Sequence, residues 1–454
     1  MPYDQKVTGI ARFRALLVAG VALALVGGLT LVSMPPRHDA ATPEPAAPIE
    51  VSSAPSQAGI APPPSMRTDA VQALLHKRAD AVVRRDEKTF MAGIDPQADP
   101  VFVKAQLAMF ANLAGVPFRE WSYSLQPQRA LDPSALPAVQ GAEELWAPET
   151  QLVYALRGSD TYATQRPMGY LFVRRAGTWY LHSDTDLQGV GRKTWRGLWD
   201  FGPCMAVSTG HGLVIHHPAR QAMAQRVANE LDAAVNAVSE VWGRTWPEQV
   251  VVLLPDTAAE MRALVGPSFP VDSVVAVSIA DVVDTDKNTA AGQRVVMSPT
   301  TADGLSVAAL RIVLRHEITH IAARGSTVDG SPMWLLEGFA DYVGYRESGI
   351  PLGQAAPDLT AQMTARGPPD KLPADDAFRS QGATLDLAYQ QSLAVARFVA
   401  DKFGEPKLLQ LYRTLAKAGR TTPAELDKLL HSVTGLTTEQ FVAGWREYLR
   451  ETLG

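Results

Sequence analysis

Cysteine is nearly absent from this 454-residue chain: Cys204 is the only one. A single thiol forms no internal disulfide and has no partner for a cysteine-based metal site, so stability rests on apolar burial alone. Cys204 itself reads as a small buried apolar residue. A basic excess is missing too. Lysine and arginine total 42 against 47 aspartate and glutamate, for a net charge of −5, with no concentrated basic patch. That balance speaks against nucleic acid as a partner. Internal repeats are lacking. Arginine far outnumbers lysine, and alanine, valine and proline are plentiful, as in proteins of GC-rich bacterial genomes. Histidine is scarce, at nine residues, which gives weight to any pattern that histidines form.

There is one long charge-free run, Ala15–Met34. About twenty residues rising 1.5 Å each cross a hydrocarbon layer of roughly 30 Å. Lys6, Arg12 and Arg14 precede it, with Asp4 the only acid, so the positive-inside rule leaves residues 1–14 in the cytoplasm and the rest outside. The competing reading is a cleaved signal peptide, whose apolar stretch is usually shorter. Length favours an uncleaved transmembrane helix over residues 15–34, anchoring the chain in the cell membrane. No cysteine stands at the end of the run, where a lipoprotein anchor would need one. Residues 35–65 are rich in proline, alanine and serine and have too few large apolar side chains to offset the entropy of ordering. They read as a disordered tether.

Residues 66–194 carry helical patterns at Met66–Glu87 and Asp99–Ala114, then strand patterns at Phe118–Leu125, Leu145–Arg157, Gly169–Arg175 and Thr178–Ser183. Arg175-Ala176-Gly177 reads as a tight turn. Helices followed by antiparallel strands make an α+β domain. Its order of elements resembles the cone-shaped nuclear transport factor 2 superfamily, a fold that often encloses a pocket. A spacer role is the plainer reading. His76 and His182 lie here as isolated histidines with no site around them.

From residue 195 to 454 strand and helix segments alternate and then give way to helices alone. Met205–His216 reads as strand, Pro218–Trp242 as a long helix, Gln249–Pro255 as a buried strand, Thr257–Leu264 as a short helix, and Val274–Ala280 and Arg294–Ser298 as strands. His216 and His217 are adjacent, so on a strand they point to opposite faces and converge poorly on one ion.

The decisive segment is Ala308–Ala323, apolar at helical spacing and containing His316-Glu317-Ile318-Thr319-His320. Histidines four apart on a helix share a face, so both imidazoles can reach one ion, with Glu317 placed to take a proton from metal-bound water. A catalytic zinc needs a third protein ligand and an open position. Within Trp334-Leu335-Leu336-Glu337-Gly338-Phe339-Ala340-Asp341-Tyr342, Glu337 is a carboxylate in an otherwise apolar turn, costly to bury unpaired. Asp341 lies one turn further on the same face, where it can accept the second ring N–H of a ligating histidine. Asp329 is an alternative third ligand in a poorer context. A structural zinc site would need a closed shell of four ligands, which neither Cys204 nor a third nearby histidine provides.

These motifs resemble those of the gluzincins, the metallopeptidases that include thermolysin-like and aminopeptidase N-like enzymes. Members pair H-E-x-x-H with a later helix carrying Glu, often within W-L-x-E-G-x-A-x-Y, and Trp334–Tyr342 has that string intact. A metzincin would have Gly and His where Ala323 and Ser326 stand. The resemblance implies a mostly helical zincin-like domain with a small sheet, so that the described architecture is α+β throughout. It also implies Zn2+ held by His316, His320 and Glu337, Glu317 as general base, Asp341 behind a ligand, and hydrolysis of a peptide or protein substrate. Ala388-Tyr389-Gln390-Gln391-Ser392 opens an apolar helix, and the resemblance gives Tyr389 the role of oxyanion donor ahead of Tyr342 and Tyr345. No G-x-M-E-N-like segment is found, which leaves exopeptidase specificity without support. Arg294–Ser298 is either core strand or the sheet edge on which an extended peptide pairs. The alternative function is a catalytically silent surface protein used for binding or scaffolding. Silent members usually lack the Glu or a ligand, and here none is missing.

Overall fold

The computed structural model describes residues 64–454 except 268, 270, 272 and 273. The expected membrane helix and residues 35–63 of the expected tether lie outside the described residues; Pro64 and Ser65, expected as tether, open a helix instead. Among the described residues no helix is long and apolar enough to cross a membrane.

The N-terminal part is α+β. Helices α1 (Pro64–Arg84), α2 (Glu87–Ala92) and α3 (Pro100–Asn112) come first. Asp86 caps α2 by accepting the Thr89 N–H, and Asp99 caps α3 with Pro100 in its first turn. Strands β1 (Phe118–Gln126), β2 (Glu144–Trp146), β3 (Glu149–Leu156), β4 (Thr164–Met168), β5 (Leu171–Arg175) and β6 (Thr178–Ser183) follow. They form two antiparallel sheets, ordered β1-β3-β4 and β2-β5-β6. The stretch expected as one strand over Leu145–Arg157 is two, belonging to different sheets. Pro148 lacks the N–H a ladder needs, and the chain changes sheet there. The turn at 175–177 has positive φ at Ala176 and Gly177, which matches the twist of the tight hairpin joining β5 and β6.

Next come β7 (Met205–Thr209), β8 (Gly212–His216), α4 (Gln221–Trp242), β9 (Val250–Leu254), α5 (Ala258–Val265), β10 (Ala276–Ile279), β11 (Val282–Asp284), β12 (Thr289–Ala291) and β13 (Arg294–Met297). The span Met205–His216, expected as one strand, is a hairpin. Its turn is held by Asp232, which accepts the N–H groups of Gly210 and His211 at 3.0 and 2.8 Å. Five strands make a mixed sheet ordered β10-β13-β9-β8-β7, with β8, β9 and β13 parallel and the outer pairs antiparallel. Its central strands are apolar on both faces because both are covered. Val214, Val252 and Val295 face the core shared with α4, whereas Ile215, Leu253 and Val296 pack in a second core with Tyr154 of the N-terminal part and Trp199 of the segment that follows it.

Helices complete the chain: α6 (Val307–Ala323), α7 (Met333–Tyr345), α8 (Leu352–Ala355), α9 (Pro357–Arg366), α10 (Ala383–Phe403), α11 (Glu405–Ala418), α12 (Pro423–Thr434) and α13 (Thr438–Leu453). Ser306 opens α6 by accepting the Ala309 N–H. α7 packs against α6 on one side and α10 on the other. Glycines allow both approaches: a β-carbon at Gly338 would overlap the Ser392 carbonyl, and one at Gly344 would crowd the Ile312 carbonyl.

Candidate metal centre

The site lies where α6 meets α7 beneath strand β10. The helical repeat puts His316 and His320 one turn apart on the buried side of α6, their Nε2 atoms 3.0 Å from each other. From α7, Glu337 brings its Oε2 to 3.3 Å from His316 Nε2 and 3.6 Å from His320 Nε2. One donor atom from each of the three residues lies within 4.8 Å of the others. Asp341, one turn beyond Glu337, has Oδ1 at 2.8 Å from His316 Nδ1. The second ring nitrogen of His316 thus faces a carboxylate, and its Nε2 faces the cluster.

Glu317 is fully buried. Its Oε2 accepts a 2.7 Å hydrogen bond from the Ser278 hydroxyl, and its Oε1 has no hydrogen-bond partner. Ser278 went unnoticed in the sequence, although a signal existed. It is the only polar residue in the run Val274–Ala280, and a buried hydroxyl needs a partner. Both oxygens of the buried Glu337 also lack a hydrogen bond of good geometry.

Electrostatics follow from this crowding. Burial opposes a charged His316, but the Asp341 and Glu337 carboxylates hold its pKa well above the ordinary histidine value. Burial raises Glu317 above the usual carboxylate range, against the pull of both imidazoles and Ser278. Burial raises Asp341 as well, against the His316 imidazole. Glu337 moves the other way: burial opposes its charge, yet His320 and His316 carry it below the usual range. An anionic carboxylate with no hydrogen-bond donor, aimed at two imidazole nitrogens in a dry site, is a donor set that suits zinc.

The other residues singled out in the sequence make contacts of their own. Tyr389 is buried in the first turns of α10, its ring edge-on to Phe378 with centroids 5.4 Å apart. Tyr342 donates to Glu405 at 3.0 Å, and Tyr345 lies beneath the Arg397 guanidinium. Asp329 pairs with Arg324 at 2.9 Å and is outside the cluster. His217 is bonded to Glu260 and the Pro203 carbonyl, while His216 Nδ1 meets the His217 carbonyl, so the two do not converge. Cys204 is buried, which pushes its thiol pKa up to about 12. Arg294–Ser298 is not the sheet edge: β13 is flanked by β9 and β10, and the edge strand is β10, which carries Ser278.

No protein-family model and no curated protein matches the chain. Among solved structures, the chain is similar to an M1 zinc metallopeptidase from Deinococcus radiodurans, at 19% identity and a TM-score of 0.30, over 53% of this chain and 50% of that one. It is also similar to a mutant M1 zinc metallopeptidase from the same organism bound to a Tyr-Ser-Ala substrate, at 16% identity and a TM-score of 0.29, with the same coverage. A two-domain M1 zinc metallopeptidase mutant bound to L-arginine matches at 17% identity and a TM-score of 0.31, over 55% of this chain and 50% of that one. The chain thus spans about half the length of the solved structures it matches.

Proposed function

We propose that the chain is a zinc metallopeptidase that hydrolyses peptide bonds, with His316, His320 and Glu337 as the metal ligands. One observation carries the reading. Two imidazole nitrogens and a carboxylate with no hydrogen bond converge within 4.8 Å, and beside them stands a second buried carboxylate with one oxygen free. Zinc held by these three residues supplies Lewis acidity toward a substrate carbonyl and makes a bound water easier to deprotonate.

Glu317 then acts as the general base. Ser278 holds its Oε2, which leaves Oε1 to take the proton of the attacking water and pass it to the leaving amine. Burial makes the Glu317 carboxylate more basic than one in water, which suits that task. Asp341 keeps the His316 imidazole in the tautomer whose Nε2 lone pair faces the cluster. Tyr389 is assigned the hydrogen bond to the oxyanion that develops on the carbonyl. The open side of β10 is the edge on which an extended peptide pairs, in place of β13. The charge-free run at Ala15–Met34 tethers this peptidase to the membrane with its folded part outside the cytoplasm.

The test is metal analysis of the purified folded part, with peptide-library cleavage measured before and after chelation. Glu317→Gln keeps zinc and lowers turnover by about 10²- to 10⁴-fold, the range a general base contributes. Cleavage indifferent to that substitution and to chelation refutes the reading. A cellular phenotype that survives it points instead to a scaffolding role.

A further inference from the structure

Two ion pairs, one buried and one partly buried, join the N-terminal part to β13 and to the chain just beyond β10, the strand whose Ser278 bonds the general base, and the proposed chemistry uses neither. Arg294, at the start of β13, pairs directly across the ladder with Ile279, the last residue of β10. Its guanidinium makes a two-pronged contact with Asp160, at 2.6 and 2.8 Å, and the two side chains are only 3% and 6% exposed. Asp160 is itself fixed, since it accepts the N–H of Leu156 at the end of β3. Two residues beyond β10, the buried Asp281 is gripped by the Arg166 guanidinium and the Thr164 hydroxyl, both from β4.

The two guanidiniums also lie over a stacked aromatic pair, Arg166 over Trp195 and Arg294 over Tyr154. Gly292 leaves room for the arrangement, because a β-carbon there would strike the Asp281 carboxylate and the Thr164 hydroxyl. Ser278, the residue that bonds Glu317, lies on the short edge strand β10 three positions before Asp281, which follows the strand's end. Among the described residues β10 has a ladder on one side only, so its far side depends on such end contacts for a fixed position.

We propose that the N-terminal α+β part is a positioning element of the active site: Asp160 and Arg166 lock the end of β10, and through it the Ser278 hydroxyl that aims Glu317. The proposal rests on the peptidase reading for its effect on turnover, but the lock itself does not. The two-pronged Arg294–Asp160 pair is buried and geometrically specific, and with the Arg166–Asp281 contact it restrains the end of the edge strand against sliding along its single neighbour. The folded part outside the metallopeptidase motifs then sets the rate without touching substrate.

The test uses the full chain. Arg166→Met combined with Asp281→Asn removes the grip without leaving a bare buried charge, and Arg166→Lys alone is the conservative control. The double variant is expected to raise amide exchange at least about tenfold in residues 275–284 while residues 307–323 keep their protection. Zinc content stays unchanged, because the ligands sit on α6 and α7. The kcat falls about ten- to hundredfold, the scale of a small misplacement near the chemistry, and Arg166→Lys recovers most of it. Exchange unchanged at 275–284 overturns the lock, as does a rise across the whole chain with loss of zinc, which is a general stability role. A local rise with kcat intact overturns the positioning claim. If the unsubstituted protein cleaves no peptide, the peptidase reading alone fails, and the exchange measurement still decides the lock.

Discussion

Replacing Asp341 with alanine isolates the part of the site that touches no substrate. Its carboxylate lies 2.8 Å from His316 Nδ1, on a ring that is 1% exposed, while the Asp341 side chain is 13% exposed. Losing such a partner typically weakens metal affinity about 10- to 100-fold, or about 1.4–2.7 kcal/mol. The same carboxylate also stabilises the protonated ring of the zinc-free protein, and this sets the pH dependence. The folded pKa of His316 is raised, so its contribution to stability is full below the ordinary value of about 6.5 and is lost as pH rises through the higher folded value. Zinc must displace that proton. In the parent, affinity therefore keeps climbing with pH well above 6.5, whereas in Asp341→Ala it levels off earlier, because the proton is held less tightly. The variant's deficit is then smallest near neutrality and widens with pH to its full value on the alkaline side. Zinc titration against a competing chromophoric chelator across pH measures both curves. A deficit that is constant with pH, or an affinity unchanged throughout, refutes the assigned role of Asp341.

Tyr389→Phe is expected to lower kcat about a hundredfold, with KM and zinc content nearly unchanged, if its hydroxyl meets the oxyanion; steady-state kinetics on a cleaved peptide decide this. Gly338→Ala drives a methyl group into the Ser392 carbonyl at the α7–α10 contact, and is expected to cost about 1–3 kcal/mol in chemical denaturation of the zinc-free protein. Because Gly338 follows Glu337, zinc affinity should fall as well; stability and affinity both unchanged would show that the helices can separate freely.

What could be read from the sequence divides along the range of the interactions that place each residue. His316 and His320 meet because of the local helical repeat, which the apolar spacing of Ala308–Ala323 announces. Glu337 and Asp341 share a face for the same reason, and a carboxylate among the apolar residues Trp334–Ala340 signals its own need for a partner. The break at Pro148 was also local, and visible, but strand-forming residues on either side, Trp146 before it and Thr150 and Val153 after it, masked it. By contrast, Val274–Ala280 and Arg294–Ser298 are short apolar stretches of the same character. Nothing local says which lies at the sheet edge, because that depends on the parallel pairing of β13 with β9, some forty residues earlier in sequence. The edge left open between two readings and the overlooked Ser278 therefore share one cause: once β10 is outermost, its single hydroxyl is what reaches Glu317. The ion pairs of Asp160 and Arg166 are more distant still, Asp160 meeting Arg294 across 134 positions. In the sequence each is an ordinary charged residue near a turn or in a strand. Their significance arises only because the sheet's far face is apolar and must be covered, which brings the end of β3 and the edge of β4 against the strand beside the base. Burial of that face thus fixes the charges, and the charges in turn fix the strand.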